Sequence, residues 1–123
     1  MIYSGGNLNL SLTQDLTNQT ATLAAAGQTQ INAAAFANTA NALLYSGCDL
    51  TLSADHSQNQ TSTLKSGGLT HISGQTFTNR QGAYLLSEND LTLHAAEHLL
   101  NQGSSLNSQG TLTVTAQEAI NQD

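Results

Sequence analysis

The sequence is short of several residue types: it contains no proline, no tryptophan and a single cysteine, Cys48, in 123 residues. One cysteine excludes an internal disulfide framework. Aromatic residues make up 4% of the chain and apolar residues 38%, which argues against a bulky globular core. Disordered chains of such low hydrophobicity usually carry many prolines or a high net charge. The absence of proline therefore favours an ordered chain with an unusual core.

Charge is scarce as well, at 8% of residues, compared with about a quarter in an average soluble domain. Lys65 and Arg80 are the only permanent cations, and the formal net charge is -6. Binding to nucleic acid or to an anionic membrane surface needs clustered cations, so we expect no nucleic-acid partner. No apolar run approaches the roughly 20 residues of a transmembrane helix, so we expect no membrane insertion. Any export signal is expected to lie outside this segment.

The sequence does contain a repeat. A phrase of two apolar or threonine positions around a polar residue occurs six times, with first positions 21, 21, 20, 21 and 21 residues apart. A glycine, or Asn89 in one case, comes shortly before each phrase and predicts a turn with positive φ. We predict that the apolar members of the phrase form the inward core: Leu8, Leu10, Ile31, Leu50, Leu52, Ile72, Leu91, Leu93, Leu112 and Val114.

A second phrase, about eight residues later, contains an asparagine. Asparagine tolerates turn conformations, and identical amides stacked on successive units can form hydrogen-bonded ladders. We predict a structural ladder of five asparagines: Asn18, Asn38, Asn79, Asn101 and Asn121. The third unit is irregular and offers residues 57–60 (Ser-Gln-Asn-Gln) instead. A third phrase places one leucine near the end of each unit: Leu23, Leu44, Leu64, Leu85 and Leu106.

These three short runs of alternating polarity predict three strands per unit, separated by turns. A unit of about 21 residues cannot bury its inner face alone, so successive units must stack. We therefore predict an all-β fold, a parallel β-helix (β-solenoid) of about six coils with three short strands each. Residues 1–123 are expected to be a single repeat segment that begins and ends within a repeat. Residues 21–43 are alanine-rich and favour a helix by propensity, but Gly27 and the repeat register favour another coil.

One string resembles a catalytic motif. Residues 94–98 read His-Ala-Ala-Glu-His, which matches the H-x-x-E-H pattern of a class of zinc hydrolases. That chemistry needs a helix that brings both histidines to one metal ion. The repeat register instead places His94 and His98 on strand and turn, about 13 Å apart along an extended chain. We therefore predict no metal site, and no other motif indicates a cofactor.

Acidic residues also recur shortly before the asparagine phrase: Asp15, Asp55, Glu97 and Glu118. Glu97 and Glu118 are expected on adjacent coils about 5 Å apart, similar to the carboxylate separation in retaining glycosidases. A polysaccharide lyase or glycoside hydrolase built on a β-helix is therefore the alternative function. The chain has no tryptophan to stack on sugars and no cluster of cations to bind an acidic polysaccharide. We predict that it is not an enzyme.

The phrase Gly-x-Leu-Thr-Leu-x-Ala, followed by the Asn-Arg/Gln steps at residues 79–82 and 101–103, resembles the filamentous haemagglutinin repeat over essentially the whole chain. The resemblance implies a right-handed parallel β-helix in a long, secreted exoprotein on the surface of Gram-negative bacteria. It implies export by two-partner secretion, with an outer-membrane transporter as partner. It also implies a structural or adhesive stalk of an adhesin or of a contact-dependent growth-inhibition toxin. The implied partners are neighbouring repeats and a receptor or glycan on a host cell or neighbouring bacterium.

Overall fold

A computed structural model describes all residues from Met1 to Asp123 and contains strands but no helix. Six short strands form one sheet: β1 (Ile2–Ser4), β4 (Thr22–Ala25), β6 (Leu43–Ser46), β8 (Thr63–Ser66), β10 (Tyr84–Ser87) and β12 (Ser105–Ser108). The other strands form the second sheet: β2 (Leu8–Ser11), β3 (Leu16–Gln19), β5 (Thr29–Thr39), β7 (Leu50–Gln60), β9 (Thr70–Arg80), β11 (Leu91–Gln102) and β13 (Leu112–Gln122).

The chain passes from one sheet to the other and back in each coil, and pairs in parallel with the coil before and after it. Each short strand pairs with the short strand one coil further on, for example Leu23 with Leu44 and Leu44 with Leu64. The six-stranded sheet therefore counts six coils, and the predicted β-solenoid of coils of about 21 residues is confirmed. The alanine-rich segment forms strand β5 and belongs to the second coil, as the repeat predicts.

The division of each coil into strands differs from the expected three. Separate strands β2 and β3 occur only in the first coil, whereas β5, β7, β9, β11 and β13 each run through the same corner as one strand of 11 or 12 residues. The first coil has four residues between Ser11 and Leu16, opposite three in β5 between Asn32 and Phe36. The extra residue prevents continuous pairing there. The fifth coil has one extra residue as well, and β11 absorbs it as a bulge between Ala95 and His98.

The core is a stack of aliphatic columns between the two sheets. Seven of the ten residues predicted to point inward are buried: Leu8, Ile31, Leu50, Leu52, Ile72, Leu91 and Leu93. Leu10 is half-buried and packs against the core cluster. Leu112 and Val114 continue the same columns, opposite Leu91 and Leu93, yet they are 44% and 39% exposed. They lie on the edge strand β13, which has a neighbour on one side only. Their columns are the predicted inward ones, and their exposure follows from this edge position.

Two inward columns contain hydroxyl groups among the hydrocarbon. Thr29 and Thr70 alternate with leucines in the first column, and Ser57 lies between Phe36 and Phe77 in another. All three hydroxyl-bearing residues are buried, and none of the three oxygens has a hydrogen-bond partner. A buried hydroxyl without a partner destabilises the folded state. These positions are therefore weak points in an otherwise aliphatic core.

Candidate functional site

The asparagines form a continuous ladder inside the solenoid. The Nδ2 of each donates to the Oδ1 of the next: Asn18 to Asn38 at 2.8 Å, Asn38 to Asn59 at 3.0 Å, Asn59 to Asn79 at 2.8 Å, Asn79 to Asn101 at 2.9 Å and Asn101 to Asn121 at 2.7 Å. Each bond joins two successive coils. Asn18, Asn38, Asn59, Asn79 and Asn101 are all buried. The ladder is therefore part of the interior and not part of a ligand-binding surface.

The second proton of each Nδ2 is also used. Asn38 donates to the carbonyl oxygen of Thr63 at 2.9 Å, and Asn79 donates to that of Ser105 at 3.0 Å. Asn18, Asn59 and Asn101 make the same kind of bond to a carbonyl near a short strand. Four of these five amides thus bond twice to the next coil, whereas the second bond of Asn101 stays in the turn that follows its own strand. No donor remains for a ligand along these five residues.

The third coil stacks in regular register on its neighbours, although its sequence departs from the repeat. Asn59 lies opposite Asn38 and Asn79 and completes the ladder, although the expected set of five omitted it. Ser57 takes the place that Phe36 and Phe77 hold in their coils. The signal was present, because the third unit keeps the 20- to 21-residue spacing of the asparagines and loses only the preceding aromatic residue.

A column of serines, which the repeat search did not single out, lines the turn after the short strands. Ser46, Ser66 and Ser87 are fully buried and stand opposite one another, and Ala25 holds the equivalent place one coil earlier. The Oγ of Ser46 is 2.7 Å from the carbonyl oxygen of Asp49 and 3.1 Å from that of Gly27. Both carbonyls also accept a backbone N–H from a neighbouring coil, so the serine hydroxyl adds a second donor to each of them. The Ser-Gly dipeptides after the third phrase were the available signal.

The glycines before the repeat phrase have a different role from the predicted one. Only Gly82 and Gly103 have positive φ, and both lie in the turn that follows the long strands. Gly68 is required by crowding instead, because an added Cβ would overlap the Oδ1 of Asp49. That oxygen accepts a hydrogen bond from the backbone N–H of Leu69 at 2.9 Å. Asn7 faces Gly27, and Asp90 faces Gly110, in the same way.

These pairs alternate along the rod. The side-chain acceptors Asn7, Asp49 and Asp90 stand on the first, third and fifth coils, and the glycines that make room for them stand on the second, fourth and sixth. Each acceptor joins its turn to the next one with a bond of 2.8–2.9 Å. The physical repeat is therefore a pair of coils of 41 or 42 residues, twice the period that the leucines indicate.

The catalytic-looking string lies on the bulge of β11. The extra residue displaces Glu97, so that Glu118 stands opposite His98 and not opposite Glu97. The Nδ1 of His98 is 3.0 Å from the Oε2 of Glu118, and both side chains are more than half exposed. The expected alignment of Glu97 with Glu118 is therefore wrong, because the alignment assumed one residue too few at this corner. Glu97 and Glu118 therefore do not stand opposite each other, as the hydrolase alternative assumed.

The remaining candidate chemistry is dispersed over the surface. The structure contains no group of three or more His, Cys, Asp or Glu side chains that could hold a metal ion. Asp15 and Asp55 are exposed, and the Nδ1 of His56 lies 2.9 Å from the Oγ1 of Thr76. Cys48 is exposed.

The geometry thus defines a class, a parallel β-solenoid held by internal side-chain ladders. The family model for the haemagglutinin repeat matches residues 2–47, 24–103 and 86–123, which together span nearly the whole chain. The chain belongs to the haemagglutinin repeat family. No curated protein and no solved structure matches it. The structure has no helix that is long and apolar enough to cross a membrane.

Proposed function

We propose that this chain is a rigid stalk segment of a long, secreted bacterial surface exoprotein, which holds an adhesive or toxic tip away from the cell. Six coils at a spacing of about 4.8 Å make a rod on the order of 30 Å long. Membership of the haemagglutinin repeat family supports a structural or adhesive role. The carrying observation is the Asn ladder, because it bonds every long strand to the next through buried amides.

The mechanism of such a stalk is mechanical. A pull along the axis loads the hydrogen bonds between coils, since strand pairing and the asparagine ladder both run parallel to it. Strands, core columns and side-chain ladders would then share the load between successive coils. In the full-length protein we propose export through an outer-membrane transporter, with the rod on the outside of a Gram-negative cell. Contact with a host cell or a neighbouring bacterium belongs to the same proposal.

Two measurements test the stalk. In single-molecule stretching, the chain should resist until coils unfold in steps, and Asn79→Ala should lower the force of the step that contains it. Easy extension of the unmodified chain would contradict a load-bearing role. Incubation with a panel of polysaccharides, with Glu118→Gln as control, should release no reducing or unsaturated ends. Release that depends on Glu118 would replace the stalk with an enzyme.

A further inference from the structure

The outer face of the six-stranded sheet differs in composition from the rest of the surface. All three tyrosines of the chain project from it: Tyr3, Tyr45 and Tyr84. Leu43 and Leu86 project from the same strands as Tyr45 and Tyr84. We call this surface the tyrosine face. The first half of the long strands, by comparison, presents outward residues such as Asn9, Gln30, Thr51, His71 and Thr92.

Large side chains occur on every second strand of the tyrosine face. They stand on β1, β6 and β10, the first, third and fifth strands in the order of the sheet. The intervening strands carry small or hydrophilic outward residues: Thr22, Ala24, Thr63, Lys65, Ser105 and Asn107. Ala24 lies directly between Tyr3 and Tyr45 and is buried there. Neighbouring strands are about 4.8 Å apart, so the tyrosine-bearing strands recur about every 9.6 Å along the axis.

The tyrosine face carries little uncompensated charge. Lys65 is its one cation, and its Nζ lies 3.4 Å from the Oε1 of Glu88. Two of the tyrosines are exposed, Tyr84 to 38% and Tyr3, on the edge strand β1, to 62%, and Tyr45 is half-buried. A face of accessible tyrosines with its cation already paired suits an uncharged ligand better than an anionic one.

The size of the tyrosine face limits what can bind to it. Six strands of three or four residues cover roughly 300 Å², whereas a stable protein interface needs about 800 Å² from each partner. A second copy of the chain would therefore be held weakly. A long, thin ligand that lies along the axis uses the available area better, because it contacts every coil.

We propose that the tyrosine face binds a neutral β-1,4-linked glycan of the cellulose or chitin type, laid along the solenoid axis. Successive units of such a chain are turned over, so the same face of the sugar recurs at every second unit. Two units span a length close to two coil spacings, which places one stacked sugar over each tyrosine-bearing strand. Tyrosine presents a large apolar ring and a hydroxyl group, the combination that a sugar with C–H faces and hydroxyl edges can use. Tyr84 stands one column aside from Tyr3 and Tyr45, and Leu86 takes the third place in their column.

Glycan binding by the tyrosine face goes beyond the mechanical role of the stalk, which stands without it. The test is co-sedimentation of the 123-residue chain with microcrystalline cellulose and with chitin, followed by titration with cellohexaose and with the hexamer of N-acetylglucosamine. Retention on at least one of the polymers is expected. Tyr45→Ala and Tyr84→Ala should each weaken binding by about tenfold, which is about 1.4 kcal/mol of binding free energy.

Control variants separate stacking from folding. Tyr45→Phe should keep binding because it keeps the ring, and His71→Ala, on the outer face of the other sheet, should bind like the unmodified chain. Unchanged melting temperatures of both alanine variants would show that the rod is intact. The proposal is overturned if neither polymer retains the chain, or if both alanine variants bind normally. Equal retention on polygalacturonate, or a dimer in sedimentation that the alanine variants abolish, would overturn it as well.

Discussion

Asn79 and Asn101 stand opposite each other on successive long strands, and the Nδ2 of Asn79 donates to the Oδ1 of Asn101 at 2.9 Å. Every bond of the ladder runs in this same direction, from the earlier coil to the later one. The direction follows from the parallel stacking, because identical residues in identical surroundings adopt the same orientation in each coil. The ladder bonds can therefore form only when the asparagines of successive coils stand opposite each other.

Replacement of one ladder residue should lower stability strongly. Asn79→Ala removes the partner of the Asn59 amide and of the Asn101 Oδ1, and it frees the carbonyl of Ser105. Because buried polar groups without partners cost about 1–3 kcal/mol each, we expect a loss of several kcal/mol in the free energy of unfolding. Thermal unfolding followed by circular dichroism measures it. Asn107→Ala, at an exposed asparagine, is the control, and equal melting of both variants would refute the structural role of the ladder.

The coil-pair arrangement predicts that glycines differ in tolerance. Gly68→Ala should destabilise the chain because its Cβ would overlap the Oδ1 of Asp49, whereas Gly6→Ala should be tolerated because no atom lies within 4 Å. Adding Asp49→Gly to Gly68→Ala should recover part of the loss, since it removes the overlapping oxygen. A double-mutant cycle on the free energy of unfolding measures this coupling. Strictly additive effects of the two substitutions would show that crowding is not the cause.

The unpartnered hydroxyls in the core predict substitutions that stabilise. Ser57→Ala removes a buried oxygen without a hydrogen bond, and Thr70→Val does the same with little change in shape. We expect each to raise the free energy of unfolding by about 1 kcal/mol. Ser66→Ala is the matched control, because its Oγ is bonded to carbonyl oxygens and its loss should destabilise. Chemical denaturation gives all three values, and a lower stability of Ser57→Ala would show that its oxygen does have a partner in solution.

The turn after the long strands predicts a second stabilising change. Thr61 has φ of 51°, a conformation that a β-branched residue adopts only at a cost. Asparagine adopts it more readily, so Thr61→Asn should raise the melting temperature, by an amount equivalent to about 0.5–1 kcal/mol. Thr51→Asn places the same residue on an outward strand position, where a small loss is expected because asparagine is disfavoured in strands. A rise for Thr51→Asn and none for Thr61→Asn would contradict the backbone argument.

Much of the architecture can be predicted from the sequence, because stacked coils must repeat their inward residues at a fixed spacing. The spacing of Leu50 and Leu52 from Leu91 and Leu93 is enough to predict coils, parallel pairing and a buried aliphatic column. The recurrence of asparagine predicts that amides such as Asn79 and Asn101 face each other. In a solenoid, side-chain columns follow from the period alone, and family membership follows from the same periodic phrase.

Only the tertiary structure decided where a coil with an extra residue accommodates it. A one-residue excess can be placed anywhere in a corner, and only the hydrogen bonds to both neighbouring coils locate it in the bulge of β11, which moves Glu97 away from Glu118. Gly68 must lack a Cβ because the turn that contains Asp49 packs against it. The sequence near either residue does not reveal this contact, because the two turns belong to different coils. The sequence by itself determined the repeat and its inward columns, because these are periodic. Register at the insertions, and which outward residues share a face, required the packed coils, because both depend on contacts between residues about 21 positions apart.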